Sequence, residues 1–214
     1  FLSKKSWLGI LGLVAGVALI WKTKFYVMAT AMPFIPAMAL NRLFPKKLKI
    51  WQAATLSFLV LGIAYAAYVH QRGKDPLLTS LVIKQRDFIN LSQAESAGSL
   101  IPLERLEPNW ASVIRTCPQA LYNATLRPLP WQIKQPGAWL MLLENLFLLW
   151  VAFLSIKHGV KHQKQQLWAW LYIVAMLLLL GLSTPVLGGL FRYKVPIWPL
   201  VWGLFLTFPG TAAR

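Results

Sequence analysis

A chain of 214 residues could make one soluble domain, but 57% of these residues are hydrophobic and only 13% charged. With a mean hydropathy of +0.53, the chain lies far from soluble domains, which carry about a quarter charged residues. Twenty-two Lys/Arg oppose six Asp/Glu, a net charge of +16. The basic residues sit between apolar runs, where they orient membrane spans rather than bind nucleic acid. One cysteine, Cys117, gives neither an internal disulfide framework nor a zinc signature. Phe1 in place of Met implies a processed chain or a piece of a longer polypeptide.

In chain order the apolar runs are Trp7–Trp21, Phe25–Leu40, Trp51–Val69, Ala138–Ile156, Leu167–Ser183 and Val195–Phe208. A spanning helix needs about 20 residues, which the third, fourth and fifth runs supply. The first two are short, separated by Lys22 and Lys24, and Pro33 and Pro36 interrupt the second. They are either two thin spans or one broken, re-entrant element. A secretory signal at this position is disfavoured, because Trp21-Lys22-Thr23-Lys24 is a poor cleavage site. The expected fold is therefore all-α and polytopic, with five to six spans and six preferred. Residues 1–69 would hold three helices, 70–136 a large extracytoplasmic loop or cap, and 137–214 three more.

Orientation follows from charge. Arg42, Lys46, Lys47 and Lys49 fill one short connection, and Lys157, Lys161 and Lys164, with His158 and His162, fill another. Short basic loops stay cytoplasmic, and the two spans between these clusters put residues 70–136 on the opposite face of the membrane. That stretch holds eight Lys/Arg and five of the six acids, a net of +3, whereas the rest has fourteen Lys/Arg against one acid. Lys22–Lys24 and Arg192–Lys194 break this rule by falling outside. Within the loop, Leu78, Leu81, Val82 and Gln85 fall at helical spacing. Glu104 and Glu107 could share one face of a short turn. The loop reads as a compact, partly helical cap on the membrane surface.

Two places could carry chemistry. Glu144, next to Asn145, is the only acid inside an apolar run, and a carboxylate there needs a protein or water partner. The topology offers Arg127 and Arg192 as partners. The role is either a proton, ion or substrate contact or a buried pair that pins helices. The second place is Gly188-Gly189-Leu190-Phe191-Arg192-Tyr193-Lys194-Val195-Pro196-Ile197-Trp198-Pro199, read as the turn between the last two spans. Two glycines permit close backbone approach, and the prolines kink the chain into the last helix. Arg192 and Lys194 flanking Tyr193 suit a phosphate; the plainer alternative is a turn with interfacial anchors. His158 and His162 have i, i+4 spacing but lie among lysines, so no metal is expected. Asn123-Ala124-Thr125 matches the N-glycosylation pattern, which matters only in a eukaryotic secretory setting. No nucleotide or haem fingerprint is present, so no cofactor is expected.

Arg192-Tyr193-x-x-Pro196-x-x-Pro199 resembles the Arg-Tyr-x-x-Pro-x-x-Pro pattern near the last helices of bacterial GT-C type membrane glycosyltransferases. Leu126-Arg127-Pro128-Leu129-Pro130-Trp131 likewise resembles their outer loop-to-helix junctions. The resemblance covers about a fifth of the chain and implies a multi-helix enzyme using polyprenyl-phosphate-linked sugars. Arg127, Arg192, Tyr193 and Lys194 would hold the lipid-linked phosphate. Such enzymes place an essential acid in the first outer loop, yet residues 1–74 contain no Asp or Glu. The resemblance therefore implies a C-terminal part whose catalytic acid lies upstream. The competing classes are a non-catalytic membrane subunit that packs on other membrane subunits, and a transporter fragment coupled through Glu144.

Overall fold

The computed structural model describes residues 27, 30, 31, 34, 50–73, 75–94, 98–133, 135–158 and 164–208. Seven α-helices are defined here: α1 (Ile50–Arg72), α2 (Pro76–Ala94), α3 (Trp110–Leu126), α4 (Pro136–His158), α5 (Lys164–Ser183), α6 (Leu187–Lys194) and α7 (Trp198–Leu206). Short 3-10 turns stand at Pro130–Gln132 and Val195–Ile197. Among the described residues there is no strand, and the only sheet-like feature is a single antiparallel bridge, Leu100 to Val186. The all-α expectation holds.

Among the described residues three helices are long and apolar enough to cross a bilayer, Ala54–Gln71, Pro136–Lys157 and Gln166–Ser183, which suggests a membrane location. They coincide with the third, fourth and fifth apolar runs. The expected sixth span takes another form. Val195–Phe208 divides into a 3-10 turn and a last helix of nine residues, about 13 Å at 1.5 Å per residue against a hydrocarbon core of about 30 Å. Proline is the reason: Pro196 opens the 3-10 turn and Pro199 the last helix, each lacking the N–H that a continuous helix would need. Residues 188–194, expected as a turn, are helical. The question of two thin spans or a re-entrant element within residues 7–40 lies outside the described residues, apart from the helical positions 27, 30, 31 and 34. So do the Arg42–Lys49 cluster and residues 159–163.

The chain forms two compact units, Phe1–Ala64 and Tyr65–Arg214, divided within α1. In the first, Phe34 packs edge-on against Phe58 with ring centroids 5.6 Å apart. The candidate site lies in the second.

Residues 70–136 are indeed partly helical, and more ordered than their seven prolines suggest. In α2 the residues at helical spacing face inward: Leu78, Val82 and Gln85 are buried and Leu81 packs against their cluster. Asn109 caps α3 by accepting the Ser112 N–H at 2.7 Å, and α3 runs on through Pro118. That proline removes one intrahelical hydrogen bond, but it is exposed. The opposite face of α3, with Thr116, Ala120, Asn123 and Ala124, is buried. Packing on α5 thus outweighs the break. The proposed Glu104–Glu107 helical turn does not form. Residues 101–107 are irregular; Glu104 pairs with Arg115, while Glu107 accepts from Asn109 Nδ2 at 3.0 Å.

This irregular segment is tied down from both sides. Gln85 Nε2 donates to the carbonyls of Glu104 (3.0 Å) and Leu182 (2.9 Å), and Gln85 Oε1 accepts the Leu106 N–H at 2.8 Å. One buried amide thus joins α2, the loop and the end of α5. Beyond it, Ile101 N–H donates to Pro185 (2.7 Å) and Leu187 N–H to Ser99 (3.1 Å), which clips the loop onto the α5–α6 connection.

Two predictions follow from this packing. A methyl group on Gly181 would lie 2.1 Å from the Ala120 carbonyl oxygen. Because backbone blocks it, Gly181→Ala should cost roughly 1–3 kcal/mol or more in unfolding of the detergent-solubilised protein. Gly203→Ala, where a Cβ meets nothing within 4 Å, should leave stability nearly unchanged. The second concerns Asp75, which accepts from Tyr65 Oη, from the Leu78 N–H at 2.9 Å and from Trp110 Nε1 at 2.8 Å, joining α1, α2 and α3. Burial pushes its pKa up, but these hydrogen bonds outweigh burial and hold it below the ordinary 3.8. Its stabilisation is therefore complete above the unfolded value and disappears as pH falls through the lower folded one. The stability gap between wild type and Asp75→Asn should be flat from neutral pH down to about 5 and close only in stronger acid.

Candidate functional site

Asn145 lies about two and a half turns into α4 and is buried. Its Nδ2 donates to the Arg127 carbonyl at 2.6 Å, and its Oδ1 accepts from Lys194 Nζ at 2.7 Å. Lys194 is only 2% exposed. Glu144, half-buried, interacts with Lys194 through space. An acid and a cation lie together at one depth, which limits the cost of each.

Three of the six sequence-derived site residues therefore meet through hydrogen bonds, Arg127, Asn145 and Lys194, while Glu144, next to Asn145 in the chain, acts on Lys194 only through its charge. The partner of Glu144 differs from the one expected. Arg127 meets this cluster through its backbone carbonyl, while its guanidinium lies over the Tyr122 ring, 5.6 Å from the centroid. Arg192 is exposed. Lys194 takes the place they were expected to fill.

Arg192 and Lys194 do not form one corner. They lie on a helix, where two residues subtend about 200°, so one points outward when the other points in. Tyr193 instead packs against Phe88 of α2, centroids 6.1 Å apart. The close backbone approach expected of the glycine pair occurs at Gly189, where a Cβ would lie 2.8 Å from Thr184 Cγ2; Gly188 faces open space.

That open space is a cleft of about 700 Å³, which sequence reasoning missed. It lies between the 98–102 segment, the first turns of α4 and α6, and the Arg127–Gln135 junction. Leu140, Met141, Phe191 and Trp131 give it an apolar lining, and Arg127 supplies its one charge. None of its sixteen lining residues is Asp, Glu, His or Cys. Arg127 follows the last residue of α3 and precedes a cis bond to Pro128. Its Nε is buried with no hydrogen-bond acceptor. Gly137 and Gly188, in the first turns of α4 and α6, bring the positive ends of two helix dipoles to the same cleft. A guanidinium with donors to spare, two helix starts and apolar walls suit an anion attached to a hydrocarbon. The only sequence signal was Arg127 between α3 and the Pro128/Pro130 pair, since the walls come from segments far apart in the chain.

Elsewhere the chemistry is sparse. Burial raises the pKa of Cys117, which keeps the thiol protonated and unreactive. Among the described residues no His/Cys/Asp/Glu group could hold a metal. Compared with family models, curated proteins and solved structures, the chain matches none.

Proposed function

We propose that this chain is a membrane component that binds an acidic amphiphile, a lipid-linked phosphate, in the Arg127 cleft on the extracytoplasmic face. The observation that carries the reading is Arg127 lining a cleft of about 700 Å³ with no acid among its described lining residues. Charge complementarity favours an anion, and the leucine, methionine and aromatic lining favours a hydrocarbon tail. A phosphate monoester matches the planar fork of Arg127 better than a neutral head would. In the enzyme form of this reading, the chain is the C-terminal part of a polyprenyl-phosphate-dependent glycosyltransferase or a related envelope enzyme. The cleft would hold the carrier lipid, and an acid outside this chain would perform the chemistry. The second reading is a non-catalytic subunit of an envelope or transport complex. Its support is α1, where Leu56, Phe58, Leu59, Val60 and Ile63 are all more than 40% exposed and offer an apolar face to lipid or to another membrane helix.

Two measurements test the proposal. In a Cys117→Ala background, an impermeant thiol reagent added from outside should label Asn90→Cys and Ala111→Cys but miss Lys157→Cys. Labelling of position 157 would reverse the topology. In detergent, the protein should retain a polyprenyl phosphate and release the corresponding polyprenol. Arg127→Lys should weaken retention about tenfold or more, matching the loss of a charge-assisted bond of roughly 1.5–3 kcal/mol, while Arg192→Lys should leave it unchanged. Competition by inorganic phosphate alone would show that the head without its tail suffices. Equal retention of phosphate and alcohol would remove the lipid-phosphate reading and leave the subunit.

A further inference from the structure

We infer that Asn145 and Lys194 are positioning residues for Arg127, setting where the cleft presents its guanidinium; this rests on the anion-binding reading of the cleft. Three of the cleft's walls converge on one amide. The first two turns of α4 line the cleft through Gly137, Leu140 and Met141, and the same helix carries Asn145. Helix α6 lines it through Gly188 and Phe191 and ends in Lys194. The third wall begins at Arg127, whose carbonyl takes the Asn145 Nδ2–H at 2.6 Å. Asn145 can do this only because its Oδ1 is held by Lys194 at 2.7 Å. An amide rotated end for end would set Nδ2–H against the ammonium and Oδ1 against a carbonyl, two repulsive contacts. The lysine charge therefore fixes which end of Asn145 faces Arg127.

This gives a reason for a lysine with 2% exposure. A methionine or leucine at position 194 would fill the space without burying a charge, but it would leave Asn145 free to turn. Stability is better served by an apolar side chain, and orientation of the amide by a cation. Glu144 interacts with the ammonium from the same turn of α4, which lessens the cost of burying it. The consequence reaches the ligand through Arg127, whose position at the end of α3 is fixed on one side by this bond and on the other by the Tyr122 ring. Neither Asn145 nor Lys194 lines the cleft, so neither has to touch the anion.

Asn145→Asp separates positioning from simple packing. The aspartate still accepts from Lys194 but cannot donate to the Arg127 carbonyl, and it places a carboxylate oxygen against it. Lys194→Met is the companion variant, since it preserves bulk and removes the orienting charge. Both are examined as full-length protein in detergent, with folding checked by gel filtration. The first readout is modification of Arg127 by an arginine-selective dicarbonyl reagent, mapped by peptide mass spectrometry, with exposed Arg192 as internal reference. The second is retention of phosphatidic acid from mixed phosphatidic acid/phosphatidylcholine micelles. Positioning requires the Arg127 rate to change several-fold relative to Arg192 in both variants, with phosphatidic acid retention falling about tenfold. If the reactivity changes but wild type retains no phosphatidic acid, the positioning stands and the lipid-phosphate reading fails. If Arg127 reacts as in wild type in a folded variant, the inference is overturned. It is equally overturned if neither variant folds, since the three-residue contact is then a structural tie alone.

Discussion

The close approach of α3 to α5 is the constraint on which the second unit depends. Gly181 lets the two backbones meet where any side chain would strike the Ala120 carbonyl, and Ala120 and Ala124 are fully buried on the facing side. A residue without a side chain, faced by alanines, is what allows two helix backbones to come into contact at a crossing. Once α3 is seated there, its last residue, Leu126, is fixed, and Arg127 with it. The junction to α4, the position of Asn145 and the floor of the cleft all follow from that crossing.

Two buried amides then do what regular secondary structure does elsewhere. Gln85 satisfies two carbonyls and one N–H from the loop and from α5, so residues 101–107 can remain irregular without leaving buried backbone groups unpaired. Asn145 does the same between α3, α4 and α6. Each has polar partners on separate elements, and each therefore selects one arrangement of those elements. Apolar contacts alone, being non-directional, would tolerate several.

The functional reading grows from the same economy. A membrane chain can keep a cation beneath its surface only where something receives it, and here the cations have distinct fates. Lys194 is consumed by Asn145 and Glu144. Arg115 is paired with Glu104. Arg192 faces outward. Arg127 alone lines the cleft, with an Nε that has no acceptor. In the proposed reading, a ligand that supplies oxygens to it and hydrocarbon to the walls would complete the site.

Read alone, the sequence determined what depends on composition and period: an all-α class, helices long and apolar enough to span at the third, fourth and fifth of the five to six expected runs, and an inward face at Leu78, Val82 and Gln85. Hydropathy and helical spacing are local properties, and they survive into the fold unchanged. It also flagged Glu144 and Asn145, because a carboxylate inside an apolar run is costly, and Arg127 and Lys194 as basic residues expected to bind phosphate. Which of them meet was not legible. Lys194 rather than Arg127 or Arg192 serves Glu144, since Pro196 and Pro199 break the final segment and make residues 187–194 a helix whose inner face ends in the lysine. The helix through Pro118 was hidden for the opposite reason: its local signal is a break, overruled by packing on Gly181. The cleft was invisible because its walls lie up to ninety residues apart, and only the tertiary contacts that close them around Arg127 decide that it exists.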